Sequence, residues 1–304
     1  MAKGLGNTAE PATSMALVSP APQYSEFRRV MRVFFGRKLA VIGMVLIMLL
    51  ILTAAFAPWL APYDPYKMDM GHTLDQPSRA HLLGTDSLGR DVLSRIIYGS
   101  RASILVAIGA IGMATIIGES LGLIAAHFGG VAFHIIMRLI DTFMAIPMLL
   151  IALMLASVLG GGLKNVIFAL GVGMIPVHCR MMCGQAMTVK QNDYILAARA
   201  MGMGDLRMMA LQIVPNAFPS LLVVITIGLG TTILAEAGLS FLGVGVLPPS
   251  PAWGSMINDG YKFILTNPSI TFAPGVAIML VVFGFNMMGD GLRDALDPKL
   301  RGVL

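Results

Sequence analysis

The strongest constraint on this chain is the way its apolar residues are gathered. They form blocks of about 20 residues, the length at which a helix crosses a hydrocarbon core roughly 30 Å thick. The blocks lie near residues 39–60, 102–126, 135–159, 164–183, 218–240 and 269–289. Of 304 residues, 56% are hydrophobic and only 12% charged, where a soluble domain carries about 25% charged residues. The pattern predicts an all-α, polytopic membrane protein with six transmembrane helices. Ala55-Phe56-Ala57 has the small-residue look of a signal-peptidase site. The block before it is long and starts late, so it is read as an uncleaved helix.

Charge then orients the chain. The net charge of +5 sits beside the apolar blocks and forms no separate basic domain, which argues for membrane topology over nucleic acid. Residues 1–38 read as an irregular tail carrying Lys3, Arg28, Arg29, Arg32, Arg37 and Lys38 against Glu10 and Glu26. The segment between the fourth and fifth blocks is assigned Arg180, Lys190, Arg199 and Arg207, and the tail from 291 to 304 adds Arg293, Lys299 and Arg301. The stretches at 160–163 and 246–268 are nearly free of basic residues. Residues 61–101 carry five, matched by Asp64, Asp69, Asp75, Asp86 and Asp91. Basic residues gather on the cytoplasmic side, so both termini are expected there, with 61–101 as an extracytoplasmic loop and 102–290 as the core.

The spans carry few polar groups, and each calls for a reason. Arg138 and Asp141, three residues apart, are expected to form an ion pair along one helix. Glu119 lies deeper, facing either solute or a partner from another helix. Glu236, near the outer end of the fifth block, is the candidate for lining a pathway. Gly118 and Gly122 make a small-x-x-x-small pair that lets helices approach closely; Gly171, Gly173, Pro176, Pro147 and Pro274 loosen others. His178, Cys179 and Cys183 cluster on the fourth block. A soft-metal route is conceivable there, but Cys and the 24 methionines more often fill apolar volume, so no metal site is assigned.

The segment 193–215 is the most informative. Asp193 is placed as an N-cap and Ile195 to Met201 as a helix; Gly202 offers a left-handed turn, Asp205 caps a second short helix, and Pro215 starts the next span. Ala197, Ala198, Ala200 and Gly202 present a low surface, and Met201, Met203, Met208 and Met209 are numerous for a loop in water. Such a patch implies a partner protein, or a connector lying on the lipid headgroups.

Ala197-Ala198-x3-Gly202, followed by Pro215-Asn216, resembles the EAA signature of ATP-binding-cassette (ABC) importer permeases. Leu196 departs from the Glu expected there, and Gln212 stands where an apolar residue is common. The run from His81 to Arg95, the stretches Leu239–Gly243 and Pro248–Gly254, and the run from Phe285 to Pro298 are similar to the dipeptide, oligopeptide and nickel permeases, the last to their second permease type. The resemblance covers the chain from about residue 81 onward. It implies the type I importer (MetI-like) permease fold in the cytoplasmic membrane. It also implies that the loop at about 190–215 couples to an ATPase through Ala197, Ala198, Gly202, Asp205, Pro215 and Asn216. The partners it implies are a second, non-identical permease, two ATP-binding subunits and an extracytoplasmic solute-binding protein.

No Gly-x4-Gly-Lys-Ser/Thr loop occurs in the sequence, so ATP and magnesium are assigned to partner subunits and no cofactor to this chain. The expected cargo is a dipeptide or oligopeptide, with glutathione or nickel complexes as alternatives. A self-contained secondary transporter would need carboxylates in paired, symmetry-related broken helices. An intramembrane enzyme would need a Ser/His, paired-Asp or His-Glu-x-x-His constellation in the spans. Neither pattern is present, and no catalytic residue is assigned.

Overall fold

The computed structural model describes residues 26–296; Lys3, Glu10, Pro298, Lys299 and Arg301 lie outside them. The described residues form helices α1 (Glu26–Gly36), α2 (Lys38–Ala55), α3 (Ala57–Leu60), α4 (Val92–Ala114), α5 (Ser120–Phe128), α6 (Gly130–Met144) and α7 (Met148–Leu159). They continue with α8 (Leu163–Lys190), α9 (Asp193–Ala200), α10 (Asp205–Met208), α11 (Val214–Phe241), α12 (Trp253–Tyr261) and α13 (Ser269–Leu296), with no strand among them. Single π-helical turns, Thr115–Glu119 and Met209–Ile213, join α4 to α5 and α10 to α11. Five helical stretches are long and apolar enough to cross a membrane, and α6 with α7, bent by 85°, makes a sixth when the pair is counted as one broken span. The bend falls at Pro147, which lacks an N–H and disfavours helical geometry in the residue before it.

Without water, helices in lipid associate through close packing, and this bundle packs at glycines. A Cβ on Gly122 would lie 2.2 Å from the Cys179 carbonyl oxygen, and one on Gly118 2.7 Å from that of Ile175. The backbones of α5 and α8 therefore touch, as the Gly118/Gly122 spacing predicts. Gly43 of α2 meets Gly284 of α13 in the same way, 2.6 Å from its carbonyl oxygen.

The first 38 residues are not all irregular. From Glu26 they form α1, whose Val30, Val33 and Phe34 pack on Leu292 and Ala295 of α13. Arg37 pairs with Asp294 just beyond α1. Likewise α13 carries six residues of the expected 291–304 tail as helix.

The second span starts at Val92, ten residues ahead of its apolar block. Asp91 caps it, accepting from the Ser94 N–H at 2.8 Å and the Ser94 hydroxyl at 2.7 Å. Arg95, in the next turn, is buried beside Asp86, which also holds the Arg90 Nε at 2.7 Å. This neutralisation lets a charged sequence continue as buried helix. The rest of 61–91 folds as a cap tied to the far end of the bundle. Asn267 donates to the Asp75 carbonyl at 3.0 Å, Gln76 to that of Thr266 at 2.7 Å, and Trp253 to that of Ile96 at 3.0 Å.

Removing Asp86 leaves Arg90 and Arg95 buried without their shared counter-charge, which costs about 3–5 kcal/mol. The detergent-purified Asp86→Ala protein is therefore expected to unfold at a clearly lower temperature. Unchanged melting would show that the pair is not holding the cap.

Candidate functional site

The site is built at the end of the bundle where α5, α8 and α13 finish and α11 begins. Beyond α8 the chain turns through Asn192, whose side chain donates to the Val189 carbonyl at 2.9 Å. Asn192 is the N-cap residue of α9, and Asp193 stands in the first turn rather than at the cap. At the other end Gly202 has φ +81°. Its N–H bonds the Arg199 carbonyl at 3.0 Å, and the Met203 N–H bonds that of Ala198 at 3.1 Å. These two bonds make a Schellman closure, which needs a residue at positive φ and so favours glycine.

The phase of α9 sorts its residues. Ile195 and Ala198, one turn apart, are both buried, Ile195 in a cluster with Met208, Met209 and Val189. Ala197 and Ala200 face outward with Leu196 (57% exposed) and Met201 (81%), and Leu206 at the start of α10 is 78% exposed. Ala198 therefore does not belong to the outward surface with which the sequence grouped it. Its small side chain lets α9 lie flat on its own bundle.

Asp205 does not cap α10; Gly204 occupies that position. The Asp205 carboxylate instead meets Nε2 of His127, at the end of α5, at 2.8 Å. Lys190, the last residue of α8, donates to the Ala126 and His127 carbonyls at 2.7 and 2.9 Å. A cation on the last carbonyls of a helix suits both their free lone pairs and the helix dipole. The ends of α5 and α8 and the start of α10 are thereby bound together. Neither His127 nor Lys190 was marked as a site residue by sequence; each is a lone polar residue at a span end, with no motif around it.

Pro215 stands in the first turn of α11, as expected, but helix already precedes it. Helix runs without a break from Asp205 to Phe241, 37 residues, about 55 Å at ~1.5 Å per residue. The π turn immediately precedes Pro215, which has no N–H to continue the ladder. The Asn216 side chain donates to the Gln212 carbonyl at 2.6 Å.

The in-span polar residues are placed differently from the sequence expectation. Asp141 is not paired along α6 with Arg138; it pairs across helices with Arg180 of α8. The packing of α6 on α8 presents Arg180 to the side of α6 that carries Asp141, whereas Arg138 borders a separate groove with His134 and Thr142. Arg180 thus lies within α8 and not in the loop that follows it. The side chains of Asp141 and Arg180 are 51% and 49% exposed. Glu236 is 0% exposed, enclosed by this chain's own helices, and accepts from the Ser240 hydroxyl at 2.7 Å. It is part of the packing between α11 and its neighbours and opens onto no pathway within this chain. Glu119 lies 3.6 Å from Nδ1 of the buried His178, a partner on another helix. Cys179 and Cys183 are buried and unbridged. A charge at the centre of the hydrocarbon core costs roughly 2.5–3.5 kcal/mol on insertion scales, which favours polar surroundings over lipid for the half-exposed Asp141–Arg180 pair.

Comparison with known proteins agrees with this architecture. The family model described as binding-protein-dependent transport system inner membrane component matches residues 118–302, and that of the N-terminal transmembrane domain of oligopeptide transport permease C matches 25–77. The dipeptide transport system permease protein DppC of Alkalihalophilus pseudofirmus is 39% identical, over 93% of this chain and 94% of its own. The glutathione transport system permease protein GsiD of Pectobacterium atrosepticum is 40% identical, over 90% of this chain and 92% of its own. Among solved structures, a chain of the MetNI methionine ABC transporter in an inward-facing conformation aligns with TM-score 0.56 at 20% identity. It covers 67% of this chain and 97% of that one, and shares the fold. The chain therefore belongs to the binding-protein-dependent transport system inner membrane component family, as a multi-pass permease subunit of an ABC importer.

Proposed function

We propose that this chain moves short peptides across the cytoplasmic membrane. In this reading both termini face the cytoplasm, and the α9–α10 unit couples the chain to an ATP-binding subunit. The carrying observation is an apolar surface of Leu196, Met201 and Leu206 held outward on a loop that is closed by Gly202 and tied down by His127 and Lys190. An apolar patch so exposed at the basic end of a bundle calls for a partner. Rigid anchorage suits a docking element better than a connector floating on headgroups.

The peptide assignment is supported by the relatives. Dipeptide permeases and the glutathione permeases, whose cargo is itself a tripeptide, are similar to nearly the whole chain. ATP and magnesium would bind on two partner ATPases, and a second, non-identical permease and an extracytoplasmic binding protein would complete the machine. Closure of the ATPases would move the docked loop, and the loop would move α10–α11. Nucleotide can bias the two states only through its different affinity for them.

Two tests separate docking from coupling. Charges introduced by Met201→Asp with Leu206→Asp should release the ATPase from an otherwise intact permease pair and abolish peptide uptake; retained ATPase with normal uptake would overturn the docking assignment. Asp205→Asn weakens the charge-assisted bond to His127, a bond worth about 1.5–3 kcal/mol. The complex should then assemble and hydrolyse ATP, with uptake per ATP lower by about tenfold, a factor that corresponds to ~1.4 kcal/mol. An unchanged ratio of uptake to hydrolysis would remove Asp205 from the coupling path.

A further inference from the structure

Arg180, paired with Asp141, lines a groove that no role described above absorbs. Asp141 lies 11 positions beyond Gly130 at the start of α6, and Arg180 lies 10 positions before Lys190 at the end of α8. At ~1.5 Å per residue both sit about 15 Å inside those helix ends, within the apolar blocks 135–159 and 164–183. One hollow of about 270 Å³ is lined there by Met144, Val177, Arg180, Gly184 and Gln185. A second, of about 380 Å³, shares Met181, Gln185 and Val224 with it and continues past Ser220 to Arg293. The two form one groove between α8 and α11, from Arg180 to the end that carries the α9–α10 loop.

Two other exposed span faces look different. Ile42, Val45 and Leu49 on α2, and Phe272, Val276 and Phe283 on α13, are purely apolar, as a lipid-facing surface should be. On α8 the outward stripe is Val177, Arg180, Gly184 and Thr188. Ionisable side chains at this depth face a bundle interior or a water-filled cavity. The residues lining the groove include Arg180 and Arg293 and no carboxylate, Asp141 lying beside it as the ion-pair partner of Arg180, so its balance favours a solute that presents a carboxylate.

We propose that this groove is the chain's wall of the aqueous translocation path, and that Arg180 and Arg293 meet the carboxylate of a passing zwitterion. The proposal rests on the importer reading and deepens it by naming the surface the cargo touches. The guanidinium of Arg180 is the deep contact, and that of Arg293 is the contact at the cytoplasmic mouth.

The test reads water access and charge preference directly, without ATP, so a failure of the coupling assignment leaves it unaffected. In the complete transporter, with Cys179→Ala and Cys183→Ala as background, a single cysteine is placed as Gly184→Cys or as Val177→Cys. A Cβ at Gly184 meets nothing within 4 Å, and Val177 is exposed on the same stripe. In inside-out vesicles both cysteines should react with water-soluble thiosulfonates, the anionic sulfonatoethyl reagent several-fold faster than the cationic trimethylammonium one. Adding Arg293→Gln should erase that preference while Gly184→Cys remains reactive. Reaction only with a lipid-soluble maleimide would show a lipid-facing surface. No reaction with any reagent would show a face sealed by the second permease. Equal rates for the two charged reagents would remove the carboxylate contact. Any of these three results overturns the proposal.

Discussion

The bundle depends on the backbone contact between α5 and α8. With no hydrophobic driving force available between helices in lipid, association rests on how closely surfaces can pack. At Gly118, in the π turn leading into α5, and at Gly122, in α5 itself, an added Cβ would run into the backbone of α8. That contact sets α8 as the axis of the molecule. Around it α4, α6, α7 and α11 find their places, and the same closeness brings the end of α5 near enough for Lys190 to reach the Ala126 and His127 carbonyls. A side chain at either glycine would move α8 outward and pull apart the junction that holds α9–α10.

The six spans were legible because their apolar blocks are long enough to have no other explanation. The limits of reading came where charge is neutralised by a residue that a local window does not see. Arg95 looks like loop until Asp86, nine positions earlier and folded back over it, is taken into account; with it, the helix starts at Val92. Arg138 and Asp141 have the right spacing for a pair, yet the partner chosen is Arg180, 39 residues away, because packing outbids spacing when two helices are in contact. Glu236 reads as a pathway residue by its depth, but depth says nothing about which way a helix is rotated.

In the loop the residue types were informative and the phase was not. Gly202 was placed correctly as the left-handed turn, since few other residues accept that backbone. The alanines around it were read as one surface, whereas the helix divides them: Ala198 follows Ile195 inward, while Ala197 and Ala200 stay with the exposed Leu196 and Met201. His127 had no signature at all. Its part in the junction exists only because α5 ends where α10 begins.

One consequence of the unbroken helix from Asp205 to Phe241 concerns timing. A rigid rod has no intermediate joint at which motion on one side of the bilayer can wait for motion on the other. Its soft places cluster near the loop end, at the π turn Met209–Ile213 and at Pro215 and Pro219, which have no N–H for the ladder. If that turn holds its shape, both faces of the membrane shift in one stroke; if it rewinds, the loop takes up slack before the far end stirs. A lost hydrogen bond between Asn216 and Gln212 would then show itself as a delay between the two ends.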